Sequence, residues 1–410
     1  MILIDKPFAS DFLIKTIKEN HFPIIATKVA KSMISDNELN WISEKEAIEQ
    51  FKKEPKTPLY SNSENAISWI EKNLGFSKLP NQIQLFKNKI LFRELVKDAF
   101  PNYFFQGVKL ADLTKLDAEV LPFPLIIKPA VGFFSLAVHK VDSIEEWNSV
   151  LNNIEQEIED FKGMYPKEVV NVSDFIIEAY IEGEEYAIDC YFNENGKPIV
   201  LNVMHHIFSS AKDVSDRVYM TSKEIIEKYK PEIEDFLLIV GQKAQLKNFP
   251  MHVEIRIDKT GKINPIEINP LRFGGWCTTG DISYFAYGFN SYEQFLYKKS
   301  PNWNEILETR KEKKYNLIVL DNNSGIKESN IKAFNYNLLL KDFEKPLNLR
   351  EVDFKKYLLE HFSVVIKGIA NADEKSFPGD GRLRSGHSSV QFGASSIAGN
   401  VPCGESDAQT

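Results

Sequence analysis

The chain has 410 residues, 43% of them hydrophobic, and is long enough to form about two or three domains with their own cores. Its formal net charge of −8 argues against a general nucleic-acid binder and against binding to anionic membranes, because both favour a basic surface. Three widely spaced cysteines give neither a disulfide framework nor a C-x-x-C metal motif, and no apolar run reaches the roughly 18 residues that span a bilayer. The apolar start, residues 1–4, is too short for a signal peptide, so the default expectation is a cytoplasmic enzyme.

Residues 1–81 predict a unit in which a strand, a helix and a second strand follow one another. The run MILID predicts a buried strand, Phe12, Leu13 and Ile17 recur at helical spacing, and residues 23–27 predict the second strand. Alternating strands and helices favour a parallel sheet. No G-x-G-x-x-G lies between the first strand and its helix, so the expected role is a scaffold and not a dinucleotide site.

The helix predicted between residues 81 and 105 carries two lysines near its beginning. Its apolar pattern predicts about four turns, ending near Pro101 because proline cannot extend a helix. The two lysines are Lys87 and Lys89. Taken alone, each would be an ordinary solvated lysine on a helix surface.

Another lysine, Lys128, lies at the end of the apolar run LPFPLIIKP, which predicts a buried strand. A lysine is costly to bury there unless it meets an anion. The segment that follows, AVGFFSLA, contains Gly132 and Ser135 and leads into a new strand. This arrangement differs from a P-loop, because the chain has no G-x-x-x-x-G-K-[ST] before a helix.

The segment DFIIEAYIEGEEYAIDCYF predicts a strand, an acidic turn and a second strand, with Glu178 before the turn and Glu185 after it. Taken alone, this segment would be an exposed acidic hairpin. The next predicted strand ends at His205 and His206. Adjacent strand residues point to opposite faces, so these histidines make a poor chelating pair and a core or loop position is expected for them.

The most informative stretch reads MHVEIRIDKTGKINPIEINPLRFGG. Two runs of alternating residues flank a turn with a glycine, which predicts an antiparallel hairpin. Because every second side chain of a strand points the same way, His252, Glu254 and Arg256 share one face of the first strand. By the same count, Glu267 and Asn269 share one face of the second. Magnesium prefers hard oxygen ligands, so the two glutamates and the asparagine predict a magnesium site.

In chain order, the lysines, the E-x-x-I-E-G-x-E segment and the hairpin resemble the nucleotide- and metal-binding motifs of the ATP-grasp superfamily. Glu254 precedes Glu267 by 13 residues, Asn269 lies two further on, and a Pro-x-Arg follows, as at the metal-binding end of that family. The resemblance covers residues 81–275. It implies an α/β fold of the α+β ATP-grasp kind, in which a Rossmann-like N-terminal domain precedes a two-lobed ATP-grasp catalytic region.

The resemblance implies ATP as the nucleotide and assigns a role to each matched residue. The residues implied to bind ATP are Lys89, Lys128, Gly132, Ser135, Glu178, Ala179, Tyr180, Ile181 and Glu185. Glu178 corresponds to the adenine acid, residues 179–181 to the backbone edge that reads adenine, and Glu185 to the ribose acid. Lys87 competes with Lys89 for the phosphate-binding role, and both assignments stay open.

The same resemblance implies Mg²⁺, with Mn²⁺ as an alternative, held by Glu254, Glu267 and Asn269. Arg272 is implied to steady an acyl phosphate or its oxyanion, with Lys128 as the second catalytic residue. The residues assigned to substrate binding are Arg217, His252 and Arg256. His252 occupies a position where many relatives carry arginine.

The implied chemistry is that of an ATP-dependent carboxylate-amine ligase. A small carboxylate attacks the γ-phosphate to form an acyl phosphate, and an amine or similar nucleophile then displaces phosphate. The implied partners are these small molecules, with neither nucleic acid nor membrane, and a homodimer stays open. Two alternatives remain: an ATP-binding regulatory protein that lost the chemistry, and a kinase-like or carboxylase-like member of the superfamily. Retention of the metal ligands together with Arg272 argues against the regulatory protein.

Five regions are expected along the chain. They are a Rossmann-like domain (1–81), a small lobe with the phosphate loop (82–173), a catalytic lobe (174–300), a small C-terminal subdomain (301–370) and a tail (371–410). From Pro378 onward the sequence lacks lysine and is rich in glycine and serine. Such a stretch cannot bury enough apolar surface to order itself, so it predicts a disordered tail or foreign sequence without a function.

Overall fold

The structure is a computed structural model that describes residues 1–132, 137–161, 171–208, 217–321, 335–353, 361–370, 383–385 and 388–390. The helices are α1 (Asp11–Glu19), α2 (Lys28–Met33), α3 (Glu44–Lys53), α4 (Ile67–Asn73), α5 (Leu79–Lys87), α6 (Lys89–Val96), α7 (Trp147–Phe161), α8 (Lys223–Ala244), α9 (Thr278–Tyr287), α10 (Ser291–Leu296), α11 (Trp303–Glu308) and α12 (Tyr336–Leu340). The strands are β1 (Ile2–Leu3), β2 (Ile24–Ile25), β3 (Trp41–Ile42), β4 (Tyr60–Ser61), β5 (Phe105–Lys109), β6 (Leu125–Val131), β7 (His139–Val141), β8 (Asn171–Ala179), β9 (Glu184–Phe192), β10 (Pro198–His206), β11 (Val218–Ser222), β12 (Phe249–Ile257), β13 (Ile263–Pro270), β14 (Lys313–Asp321), β15 (Pro346–Glu351), β16 (His361–Ala370), β17 (Leu383–Ser385) and β18 (Ser388–Val390). Ser135 and most of the tail lie outside the described residues.

The first 61 residues form a parallel sheet in the order β3-β2-β1-β4. Helix α1 buries Leu13 and Ile17 in the same cluster as Ile2 and Ile24. The helix begins where the Ser10 hydroxyl accepts a hydrogen bond from the Leu13 N–H at 3.1 Å. The predicted β-α-β unit with a parallel sheet is therefore confirmed.

The helix predicted between residues 81 and 105 is two helices, so the prediction of one continuous helix was wrong. Asn88 has an extended backbone, and its side chain accepts hydrogen bonds from the N–H groups of Ile90 and Leu91. Asparagine is among the residues that best cap a helix amino terminus, so α5 ends here and α6 begins. Lys87 is therefore the last residue of α5 and Lys89 the first of α6.

A four-stranded sheet has the order β5-β8-β6-β7. Strand β6 continues to Val131, so Lys128 lies inside the strand, and the prediction that the strand ends at this lysine was wrong. Pro129 is tolerated because β7 pairs only with residues 125–127 of β6, and no ladder bond on that side needs its missing N–H. Leu125 and Ile127 of this sheet are buried in one cluster with side chains of α7.

The second large sheet has the order β13-β12-β9-β10-β11-β14-β16-β15. Its core includes Val253, Ile255 and Ile257 of β12 together with Val240 of α8. Strands β14, β15 and β16, from the region predicted as a C-terminal subdomain, extend this same sheet. The proposed division into domains remains a prediction. Within the described residues, no helix is long and apolar enough to cross a membrane.

The predicted strand, acidic turn and strand of residues 174–193 link the two sheets. Strand β8 belongs to the four-stranded sheet and β9 to the eight-stranded one, and they do not pair with each other. Gly183 lies in the link with φ of 126°, and a side chain there would collide with the Ile257 carbonyl, so only glycine fits. Residues 180–183 thus cross between the two sheets, which explains why this segment is not an ordinary hairpin.

Candidate nucleotide and metal site

The predicted metal hairpin is present and its faces are those expected. Strands β12 and β13 pair antiparallel, with Glu254 opposite Glu267 and His252 opposite Asn269. Directly opposed residues of an antiparallel pair point to the same side, so all four side chains share one face. The other face is the core face that holds Val253. The three predicted metal ligands are therefore neighbours at the edge of the eight-stranded sheet.

A β-bulge is what puts Glu267 on that face. Arg256 pairs with Asn264 and Ile255 with Pro265, but Glu254 pairs with Glu267, so Ile266 is an extra residue on β13. Without the bulge, the alternation that starts at Asn264 would place Ile266 on the site face and turn Glu267 to the core. The hairpin was predictable from the sequence, whereas the bulge was not.

The side chains of the hairpin face form a small polar cluster. Asn269 Nδ2 lies 3.5 Å from Glu254 Oε1, and Lys89 Nζ lies 3.2 Å from Glu267 Oε2. Burial by itself would raise the pKa of Glu267, but the positive charges of Lys89 and Lys87 outweigh it and hold that pKa below its ordinary value. Glu267 is therefore charged at neutral pH, as a metal ligand must be.

This donor set fits a hard divalent cation that is also bound by its substrate. Two carboxylates and one amide oxygen suit Mg²⁺, which normally completes its shell with water and phosphate oxygens. Among the described residues, no group of three or more His, Cys, Asp or Glu side chains is arranged as a metal cage. A cation at the hairpin would therefore depend on Asn269 and on oxygen atoms from a bound ligand.

Arg272, predicted as catalytic, lies beside a residue that sequence reasoning missed. Its Nη2 is 2.8 Å from Glu64 Oε1, and Lys87 Nζ forms an ion pair with the other oxygen of that carboxylate. Burial tends to raise the pKa of Glu64, but Lys87 and Arg272 outweigh it and hold the pKa well below its ordinary range. Lys87 and Lys89 thus take neighbouring positions, Lys87 against Glu64 and Lys89 against Glu267.

The second predicted lysine, Lys128, is buried against the predicted adenine acid. Lys128 Nζ lies 2.5 Å from Glu178 Oε1, and Arg93 Nε lies 2.7 Å from Glu178 Oε2. All three residues are less than 10% exposed, at 7%, 3% and 3% respectively. Burial opposes ionisation of Glu178, yet Arg93 and Lys128 outweigh it and bring its pKa down to about 2. Arg93 was not singled out in the sequence, because a lone helix arginine carries no motif.

Stability should respond to pH through Glu178. Its pKa falls from the ordinary 4.5 to about 2 on folding, so its charge stabilises the fold fully above pH 4.5 and ceases to do so as the pH approaches 2. Glu178→Gln leaves two buried cations uncompensated and should cost on the order of 3–5 kcal/mol near neutral pH. Urea unfolding of wild type and Glu178→Gln, measured from neutral pH downward, should show that their difference in unfolding free energy narrows below pH 4.5.

Glu94→Gln is the matched control, because Glu94 follows Arg93 on α6 but is 50% exposed in a surface pair with Lys97. It should change stability little at any pH. A gap between wild type and Glu178→Gln that stays constant with pH would contradict the ionised, buried carboxylate.

The predicted ribose acid and the predicted backbone edge lie together. Glu185 contacts His206 Nδ1 at 3.0 Å and Arg256 Nε at 3.1 Å, and Arg256 Nη1 donates to the Ile181 carbonyl at 2.6 Å. The contacts of Arg256, predicted to bind substrate, are therefore with the predicted ribose acid and the backbone of residues 179–181. His206 is buried, as expected, but it also orients Glu185.

His252, another residue predicted to bind substrate, is held in place by Asp189. Its Nδ1 lies 2.7 Å from Asp189 Oδ1 of the neighbouring strand β9, and its Nε2 lies 3.8 Å from Glu254 Oε1. Asp189 Oδ1 also accepts from the Gly274 N–H at 3.1 Å, in the turn that follows Arg272. Asp189 thus joins the hairpin to that turn, a role that no sequence motif revealed.

Two predicted residues are not placed with this cluster. Arg217 precedes β11, which is four strands away from β13 in the sheet order, and its carbonyl accepts from the Val319 N–H at 2.7 Å. Gly132 directly follows β6, and the loop beyond it, residues 133–136, lies outside the described residues. The assignments of Arg217, Gly132 and Ser135 stay predictions.

Comparison with known proteins identifies the class. Residues 121–280 match the model of the ATP-grasp domain family. The chain therefore contains an ATP-grasp domain, and the family resemblance and the predicted α/β fold are confirmed. A search of curated proteins finds no significant match.

Solved structures with the same fold include ligases and carboxylases. L-amino acid ligase from Bacillus licheniformis is 16% identical, with a TM-score of 0.65 over 90% of this chain and 93% of that chain. Biotin carboxylase from Campylobacter jejuni is 13% identical, with a TM-score of 0.60 over 90% and 87%. N5-carboxyaminoimidazole ribonucleotide synthetase from Thermotoga maritima is 14% identical, with a TM-score of 0.58 over 89% and 93%. These TM-scores and coverages show that nearly the whole chain shares its fold with these proteins.

Proposed function

We propose that this protein is an ATP-dependent ligase that converts a small carboxylate into an acyl phosphate and transfers the acyl group to an amine, releasing ADP and phosphate. The observation that carries the proposal is the pairing of Glu254 with Glu267 across the hairpin, with Lys89 at 3.2 Å from the second carboxylate. Such a cluster of metal-binding oxygens and cations suits a triphosphate with its metal ion.

Charge neutralisation is the main task of such a site, because a carboxylate must approach an anionic phosphate. Bound Mg²⁺, or Mn²⁺ as the alternative, would be held by Glu254, Glu267 and Asn269 and would withdraw charge from the phosphate oxygens. Lys89 and Lys128 would bind the nucleotide phosphates. Both lysines already face carboxylates, Glu267 and Glu178, so each ammonium is held in place before the nucleotide arrives.

Arg272 is proposed to bind the reacting carboxylate and then the acyl phosphate. Its guanidinium already holds one carboxylate, that of Glu64, in the manner in which arginine binds carboxylates generally. The substrate would meet this arginine next to the metal ligands, where its charge can be neutralised. The structural likeness to an L-amino acid ligase makes amino acids the first carboxylates and amines to screen.

The carboxylase-like alternative is supported by the likeness to biotin carboxylase and to the carboxyaminoimidazole ribonucleotide synthetase. In that case bicarbonate would take the place of the organic carboxylate. Both proposals require a small-molecule acceptor. The proposed assembly is a homodimer, which sedimentation would test.

The proposal is tested by measuring ADP and phosphate release with matrices of carboxylates and amines. A ligase should release ADP only when both substrates are present, and hydroxylamine should replace the amine and yield a hydroxamate. Dependence on bicarbonate alone would favour the carboxylase. Phosphate transfer to a hydroxyl acceptor would favour the kinase, and ATP binding without turnover in any mixture would favour the regulatory protein.

A further inference from the structure

Arg93 contacts both halves of the candidate site from one buried position. It lies on α6, four residues after Lys89, and is only 3% exposed. Its Nε donates to Glu178 Oε2 at 2.7 Å, and its Nη1 donates to the Pro265 carbonyl at 2.6 Å. Glu178 belongs to the nucleotide side of the site and Pro265 to the metal hairpin. One guanidinium therefore bridges two sheets.

The hairpin contact is made at the bulge. Arg93 Nη1 binds the carbonyl before the extra residue Ile266, and Nη2 lies 3.5 Å from the carbonyl of Ile266 itself. A bulge leaves backbone groups without ladder partners, and β13 is an edge strand, so these carbonyls need another donor. Arg93 supplies it immediately before Glu267. Since a one-residue shift in register turns a strand's side chains to the other face, the contact secures the face of this metal ligand.

The nucleotide contact divides one carboxylate between two cations. Arg93 takes Glu178 Oε2, which leaves Oε1 for Lys128 at 2.5 Å. The orientation of the carboxylate plane, and with it the position of the lysine ammonium, is thereby set by Arg93. The guanidinium carbon also lies over the ring of Tyr103, 4.5 Å from the ring centroid, and this cation–π contact helps to hold the arginine in place.

The same helix carries the first lysine. Lys89 and Arg93 are four residues apart, so they lie on one face of α6. Lys89 reaches Glu267 at 3.2 Å, while Arg93 reaches the two carbonyls just before it. The helix is thus attached to the metal hairpin at two adjacent points.

We propose that Arg93 is a positioning residue that sets the metal ligand Glu267 and the phosphate-binding Lys128 relative to each other, an inference that rests on the proposed function. Only arginine suits this position, because its planar fork can donate to a carboxylate and to carbonyls in different directions at once. A lysine has a single ammonium, which can contact either Glu178 or the carbonyls of the hairpin. One of these two contacts would therefore be lost.

The test compares Arg93→Lys, which keeps the charge beside Glu178, with Arg93→Gln, which keeps an amide donor for the carbonyls but removes the charge. Arg310→Lys is the control, since Arg310 also donates to a backbone carbonyl, that of Ala286 at 2.7 Å, but lies outside the site. Turnover and the Mg²⁺ concentration for half-maximal turnover are measured for each. Calorimetry of ADP binding with and without Mg²⁺ supplies a readout that does not need turnover.

In Arg93→Lys, the half-saturating Mg²⁺ concentration should rise and kcat should fall by roughly 10- to 100-fold, the usual effect of removing a residue that orients a metal ligand. Arg93→Gln should mainly weaken ADP binding without Mg²⁺. Arg310→Lys should behave as wild type. Arg93→Lys tests the contact with the hairpin carbonyls, and Arg93→Gln tests the contact with Glu178. If one variant fails to fold, the other still tests the inference.

The inference is overturned if the folded Arg93 variants bind ADP and Mg²⁺ as wild type does. It is also overturned if both variants lose thermal stability and nothing else. Failure of the proposed function would look different: wild type would then show no carboxylate- and amine-dependent ADP release, while the Mg²⁺ dependence of ADP binding would still distinguish Arg93→Lys from wild type.

Discussion

Glu267→Gln is expected to reduce turnover by orders of magnitude while the protein stays folded. The substitution keeps the shape of the side chain but removes one of two opposed carboxylate charges that would offset the metal ion. The loss should amount to several kcal/mol of transition-state stabilisation, of the order that metal-ion catalysis supplies. Initial rates of ADP release over a range of Mg²⁺ concentrations measure it, and excess Mg²⁺ should restore the rate only in part.

Glu227→Gln is the matched control. Glu227 lies on α8 with its side chain 54% exposed, 3.4 Å from Lys223, in a surface pair of the kind that contributes little. It should retain wild-type turnover. Equal activity of the two variants would show that the hairpin face is only a polar surface, and the proposed metal site would have to be abandoned.

Lys128→Met is expected to abolish turnover and to remove most of the thermal stabilisation by Mg-ATP. The lysine is 7% exposed and lies 2.5 Å from Glu178, so its ammonium is held in place and cannot be replaced by a neighbouring surface lysine. Ligand that binds the native state raises the unfolding temperature according to its affinity. The difference in unfolding temperature with and without Mg-ATP therefore measures the lost binding, apart from any change in the stability of the free protein.

Lys115→Met provides the comparison on the same lobe, since Lys115 is 71% exposed and pairs with Asp112 at the surface. Its shift with Mg-ATP should equal that of wild type. A full shift in Lys128→Met would contradict the phosphate-binding role, and the buried pair with Glu178 would then be structural.

The sequence predicted those features that depend on local periodicity. The alternation of residues in β12 correctly placed Glu254 and Val253 on opposite faces of the strand. Side chains of a strand alternate in this way regardless of the rest of the fold. The N-terminal β-α-β unit was equally local. Two local predictions were wrong. Asn88 caps a new helix, so the single helix predicted there is two helices. Strand β6 continues through Pro129, because β7 does not pair with β6 at that position.

The rest of the site depends on partners far apart in the chain. Arg93 meets Glu178 across 85 positions and Pro265 across 172, and Arg272 meets Glu64 across 208. Arg93 and Glu64 carry no local signal, since an isolated charge on a helix usually faces solvent. The motifs that marked Glu178 and Arg272 did not show which partners these two residues would meet.

The sequence by itself therefore determined the ATP-grasp resemblance, the fold class and the residues whose spacing follows a strand. Only the tertiary structure decided the bulge at Ile266, the crossing of residues 180–183 between the two sheets, and the buried partners of Lys128 and Arg272. The physical reason is that register and charge pairing are settled when separate elements pack together. A buried charge must find its partner there, wherever in the chain that partner lies.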